Sequence, residues 1–206
     1  TPLFVGRERS IQAITAANQR DETVIVAAQR DPAVQEPTEE DLYSIGTEIV
    51  IGRVLRMPDG TTSVLAQGRR RVELVEFTQV EPYMRVRARP IPESTDRPLS
   101  TEALMRAVLA LFEKVVQLNR NLPEDAYVFA MNVDEPGWLA DLIASTIDLN
   151  LTERQSILET LDPAQRLQRV SILLAKELDV LELEDQIHSQ VQQEVDRSQR
   201  EFYLRE

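Results

Sequence analysis

The chain has 206 residues, 42% apolar and 28% charged, with a formal net charge of −12. That is the composition of a water-soluble globular chain, long enough for one large domain or two small ones. With no cysteine, disulfides, zinc–thiolate sites and thiol nucleophiles are excluded. No apolar run is long enough for a transmembrane helix. The opening "TPLFVGRERS" lacks the basic-then-apolar order of a secretory signal, and the absence of cysteine fits a reducing, cytoplasmic location. Charge is uneven: residues 1–97 carry a net −2 and residues 98–206 a net −10. The acidic second half repels phosphate, so nucleic acid is a poor partner for it.

Residues 1–92 read as β-rich. One short helix is expected over "RERSIQAITAANQ" (7–19), with Ile11, Ile14 and Ala17 at helical spacing. "TVIVAAQ" (23–29) has the short apolar run of a buried strand. "IGTEIVIGRVLRM" (45–57) and "TTSVLAQ" (61–67), joined by "PDG", predict a hairpin. "RVELVEF" (71–77) and "YMRVRARPI" (83–91) predict two more strands. Several short strands with few helices point to a small barrel or curled sheet.

The proline-rich "PIPESTDRP" (90–98) marks a boundary, and residues 99–206 read as helical. Ser100 or Thr101 is expected to cap a helix reaching about Arg120, with Leu104, Val108, Leu111, Phe112, Val115 and Leu118 on one face. "LPEDAYVFAMN" (122–132) predicts a short helix, and Asp134 with Pro136 opens another. Thr152 with Gln155 has the capping-box pattern. Asp162, Pro163 and Gln165 supply a cap, a first-turn proline and a capping-box partner. From Pro163 onward there is no glycine and no further proline, which predicts one helix of roughly 66 Å over 163–206. Leu167, Val170, Leu174, Leu178 and Leu181 form its packing face. Beyond Leu183 the stripe thins to Ile187, Val191, Val195 and Phe202, predicting a projecting arm or a weak pairing with another helix.

The fold class expected is therefore α+β: a β-barrel or curled sheet followed by a helical bundle ending in a long helix. Catalytic machinery is not evident. His188, the one histidine, sits on the polar half of the long helix without a partner nucleophile. The glycines form no phosphate-cradling loop. "EPTEEDLY" (36–43) lacks the glycine and distal glutamate of a calcium loop and reads as a solvated acidic loop. No catalytic, cofactor or metal residue is assigned.

Two features suggest binding. Alternation in 83–91 puts Tyr83, Arg85, Arg87 and Arg89 on one face, with Arg69, Arg70 and Arg71 nearby. That face either holds single-stranded RNA or is an outer sheet surface paired with Glu73, Glu76 and Glu81. In 61–67, Thr62, Val64 and Ala66 share one face, leaving Leu65 as a large apolar residue on the other. Pro2, Leu3 and Phe4 lie in an extended segment. If Pro2, Phe4 and Leu65 adjoin, they form an apolar contact surface for unfolded polypeptide; otherwise they are scattered surface residues or a strand edge that another segment covers.

The series "PLFVGRERSI", "DLYSIGTEIV", "PDGTTSVLAQGRRRVEL", "DEPGWLADLIAS" and "SQREFYLRE" closely resembles the N-terminal domain of bacterial Lon protease, in order and over nearly the whole chain. The resemblance implies a first unit with the PUA-like β-domain of that family and a helical second unit leading into an ATPase module. It implies that the parent is an ATP- and magnesium-dependent serine endopeptidase, a homohexamer that degrades misfolded, damaged and short-lived regulatory proteins. The N-terminal region would recognise substrates and stabilise the ring, through a connector carrying Ile187, Val191, Val195, Phe202 and Tyr203. The family has an earlier strand-forming segment before "PLFVG", and its ATPase loop and serine–lysine pair have no counterpart in these residues. The expectation is therefore a non-catalytic fragment.

Overall fold

The computed structural model describes residues 1–203, and the side chains of residues 1–200. The chain divides into two compact units, Thr1–Pro92 and Glu93–Glu206. In the first, strand β1 (Pro2–Val5) is followed by helix α1 (Glu8–Arg20), β2 (Val24–Val26), β3 (Ile45–Arg56), β4 (Thr62–Gln79) and β5 (Arg85–Pro90). All pairings are antiparallel, and the order is β1-β4-β3-β2. β5 pairs with β4 along 72–79 while β1 pairs along 62–65. Because β3 occupies the other edge of β4, β1 and β5 share this one. The sheet is open, not a closed barrel: no ladder joins β2 to β5.

β4 is one strand of 18 residues, where the sequence predicts two. The expected break at "QGRRR" is instead a β-bulge. Glu48 pairs with Arg70 and Ile49 with Gly68, so Arg69 is the extra residue and the ladder continues beyond it. The hairpin turn is as expected: Gly60 takes φ +85, a conformation that favours glycine. Both the backbone N–H and the hydroxyl of Thr61 donate to Asp59 Oδ1, at 2.9 and 2.6 Å.

The helical unit holds α2 (Leu99–Leu118), α3 (Ala126–Met131), α4 (Pro136–Thr146), α5 (Leu151–Glu159) and α6 (Pro163–Tyr203). Two of the expected caps move. α2 starts at Leu99, with Pro98 at the cap position and no side-chain cap, while Thr101 is buried. α5 is capped by Asn150 with Glu153, two residues before the Thr152–Gln155 pair that fits the same spacing. The backbone N–H of Gln165 donates to Asp162 Oδ1 at 2.8 Å, capping α6 as expected. Val108, Phe112, Leu139, Ile143, Leu167 and Leu174 are fully buried and join α2, α4 and α6. Each contributes about 1.5–3 kcal/mol by leaving water, so packing supplies most of this unit's stability.

Among these apolar groups lies one fully buried arginine, Arg166. Its Nε donates to Thr160 O at 2.9 Å and its Nη2 to Leu161 O at 3.2 Å. Its Nη1 donates to Glu93 Oε1 at 2.5 Å and to Asp141 Oδ2 at 3.3 Å. A charge removed from water must be met in this way, or the fold loses several kcal/mol. Replacing Arg166 with methionine keeps much of the volume but orphans two loop carbonyls. The expected cost is about 2–4 kcal/mol, read as an earlier urea transition of the helical signal.

Candidate functional site

Alternation along β4 divides its residues between two faces. Thr62, Val64 and Ala66 point inward and are buried. Leu65, as expected, faces out and is 47% exposed. β1 brings Pro2 directly opposite Leu65 and Phe4 opposite Ser63. Residues directly opposite in an antiparallel pair share a face, so Pro2, Phe4 and Leu65 lie side by side. Phe4 is 71% exposed. Leu55, exposed and opposite Ser63 on β3, extends the same surface from the other side. The sequence reading did not include Leu55, because a register shift between Ile51 and Val54 resets the alternation there. The result is a four-residue apolar surface across three strands, larger than singly scattered apolar residues make.

The inward side of the same sheet, with α1, encloses an open cavity of about 1040 Å³ lined by Leu3, Val5, Ile14, Val64, Val72 and Val86 among others. At its margin Glu48, nearly buried, accepts from Arg70 Nε and from the Thr23 hydroxyl at 2.9 Å, with Arg69 at 3.8 Å. The Arg70 hydrogen bond holds the Glu48 carboxyl below its ordinary range, against an opposing effect of burial. Arg9 Nε is buried beside this cavity without a hydrogen-bond partner.

The arginine-lined strand is largely neutralised. Arg87 is ion-paired with Glu76 and Arg89 with Glu73, each directly across the β4–β5 ladder. Arg9 pairs with Glu81 at 3.5 Å. This is the paired outer face that the sequence left as one of two readings.

Along α6, Leu167, Val170, Leu174, Leu178 and Leu181 are buried, and every residue from Glu182 to Arg200 is exposed. Ile187, Val191 and Val195 are 58%, 53% and 44% exposed. They drift around the helix relative to the docked stripe. At about 100° per residue, Ile187 lies roughly 140°, Val191 roughly 100° and Val195 roughly 60° from the middle of it. Exposed Val180 on the docked half shares the side of Ile187 and Val191. Ile187 and Val191 therefore face away from the docked stripe, and Val195 lies nearer to it. The side chains of Phe202 and Tyr203 lie outside the described residues.

An open antiparallel sheet with an exposed apolar surface, followed by a helical bundle with one long helix, defines the class of fold. Residues 1–176 match the family model described as the ATP-dependent protease La (LON) substrate-binding domain, and the chain belongs to that family. It is 49% identical over 206 residues to Lon protease 2 of Herpetosiphon aurantiacus, covering 100% of this chain and 25% of that protein. It is 40% identical over 205 residues to the Lon protease of Dictyoglomus thermophilum, covering 100% of this chain and 26% of the relative. The chain thus spans about a quarter of the curated relatives it matches. Its fold resembles the N-terminal domain of Mycobacterium avium complex Lon protease, with a TM-score of 0.68 at 19% identity over 87% of this chain and 90% of that one. The Lon N-terminal domain protein of Xanthomonas campestris gives a TM-score of 0.54 at 17% identity, over 82% and 86% of the two chains. Among the described residues, no helix is long and apolar enough to cross a membrane.

Glu48 ties the first unit to pH. Its folded pKa lies below its unfolded value, so its contribution is complete above the ordinary glutamate range and is lost as pH falls through the depressed folded value. Stability of the β-unit should therefore decline on acidification below that range. Glu48→Gln should be less stable at neutral pH and lose part of this slope, as measured by urea melts across an acid pH series.

Proposed function

We propose that this chain is the non-catalytic substrate-recognition and assembly region of a cytoplasmic, ATP-dependent serine protease of the Lon type. The surface of Pro2, Phe4, Leu55 and Leu65, in a chain that belongs to a substrate-binding family, carries this reading. Its substrates are misfolded, damaged and short-lived regulatory proteins, captured through exposed apolar segments. The chain contributes no residue to peptide cleavage; ATP and magnesium act in the ATPase module of the parent protein.

The surface is shallow and faces solvent, and it offers no enclosed pocket for one preferred side chain. Apolar contact without directed hydrogen bonds favours weak, permissive binding at each copy. Presenting several copies in a homohexameric ring converts weak single contacts into avidity. Exposed Ile187, Val191 and Val195 on α6 support the assembly role, as apolar residues that the chain's own core does not cover.

Two measurements test these roles separately. Titration of the labelled chain with a permanently unfolded protein should move the amide resonances of β1 and of residues 63–66. Leu65→Asp should weaken binding about tenfold, equivalent to about 1.4 kcal/mol. Shifts confined to the helical unit would exclude the proposed surface. In the full hexameric protease, the double variant Ile187→Asp with Val191→Asp should shift sedimentation toward smaller species. Because both positions are exposed, stability of the isolated chain should change by less than about 0.5 kcal/mol for each substitution.

A further inference from the structure

Trp138, the one tryptophan of the chain, is 60% exposed, and Phe129, nine residues earlier, is 63% exposed. Side chains of this size are among those whose burial favours a fold most. The residues around them are packed normally. On α3, Ala126 and Ala130 are buried while Val128, Phe129 and Met131 face water. On α4, Pro136, Gly137, Leu139 and Ala140 are buried around Trp138. Residues 132–135 join the two helices, with Val133 buried. The N–H groups of Asn132 and Val133 donate to Phe129 O and Ala130 O at 3.2 and 3.1 Å, closing that connection tightly. α3 and the first turn of α4 thus leave two aromatic rings and two further apolar side chains outside the core.

The charge of this stretch has one sign. Between Arg120 and Arg154 there are seven carboxylates and no lysine, arginine or histidine. Three of the seven are met by bases from other elements: Glu135 by Arg97 at 3.8 Å, Asp141 by Arg166 at 3.3 Å and Glu153 by Lys176 at 3.6 Å. Glu124 and Asp125 are exposed and have no ion-pair partner among the described residues. The N–H of Phe129 donates to Asp125 O at 3.1 Å, so Asp125 sits one helical turn before Phe129 on the same face.

We propose that the exposed face of α3 and the first turn of α4 is a docking surface for a polypeptide segment carrying apolar and basic residues together. Aromatic rings accept apolar side chains and also the cationic heads of lysine and arginine. Glu124 and Asp125 supply the counter-charge beside Phe129. The same charge argues against other occupants. A second copy would bring the identical acidic face in an isologous contact, on a chain of net charge −12. Nucleic acid and anionic lipid are repelled. This surface lies wholly within the helical unit, and it stands whether or not the apolar surface of β1 and β4 binds substrate.

Since Trp138 is the one tryptophan, its emission reports on this surface directly. The probes are two tryptophan-free peptides of equal length, one built from leucine, alanine and lysine, the other with glutamate in place of lysine. Titrating the full chain with the lysine peptide should shift Trp138 emission to the blue and saturate, and added salt should weaken the binding. The glutamate peptide should leave the emission unchanged. Phe129→Ser, and the pair Glu124→Gln with Asp125→Asn, should each weaken the lysine peptide at least about threefold. The pair Glu184→Gln with Asp185→Asn, at exposed positions on α6, removes the same charge elsewhere and should change nothing. The proposal is overturned if the lysine peptide leaves the emission unmoved, if both peptides bind equally, or if Phe129→Ser has no effect. It is also overturned if the α6 pair weakens binding as much as the α3 pair, which would leave only attraction to net charge. A blue shift on concentrating the chain alone would assign the surface to a second copy instead.

Discussion

A guanidinium without access to water constrains the helical unit more tightly than any single apolar contact. Arg166 needs acceptors in the plane of its fork, and they come from the α5–α6 loop, the first two turns of α4 and the segment that enters the unit. Apolar packing between α2, α4 and α6 supplies the larger energy, but it tolerates small slides and rotations. Directed bonds to a rigid planar donor do not. The arginine therefore fixes the position at which α6 starts, within one turn of its Asp162 cap.

In the first unit the comparable constraint is the length of β4. Its two ends accept different partners on one edge, β1 at the start and β5 at the end, while β3 lines most of the other. A single strand therefore makes both an apolar inner face and an outward apolar surface, because successive side chains alternate. Phe4 and Leu65 are exposed for the same geometric reason that Val64 is buried.

The parts of this arrangement that were legible in the sequence are those set by local periodicity. The inward set of Thr62, Val64 and Ala66 and the docked face from Leu167 to Leu181 both follow from counting residues. Features that depend on a second segment were not. The run Gly68 to Arg71 has the composition of a break, and only pairing with Glu48 and Ile49 makes it a bulge. Leu55 joins the outward surface only through a register shift in its own strand. Two overlapping capping boxes, Asn150–Glu153 and Thr152–Gln155, fit equally well in one dimension, and packing selects the earlier. Arg166 reads as a routine polar residue in a first helical turn, since Glu93 and Asp141 are 73 and 25 residues away.

α6 also has a mechanical consequence. Its 41 residues contain no glycine and no proline after Pro163, so nothing along it favours bending. From Leu181 to Arg200 the exposed part extends roughly 29 Å. A tilt of about 5° where the helix leaves the bundle moves its far end about 3 Å, the scale of a hydrogen bond. The accuracy with which this helix can aim whatever it meets is therefore decided where it leaves the bundle, by the packing of Leu174, Leu178 and Leu181.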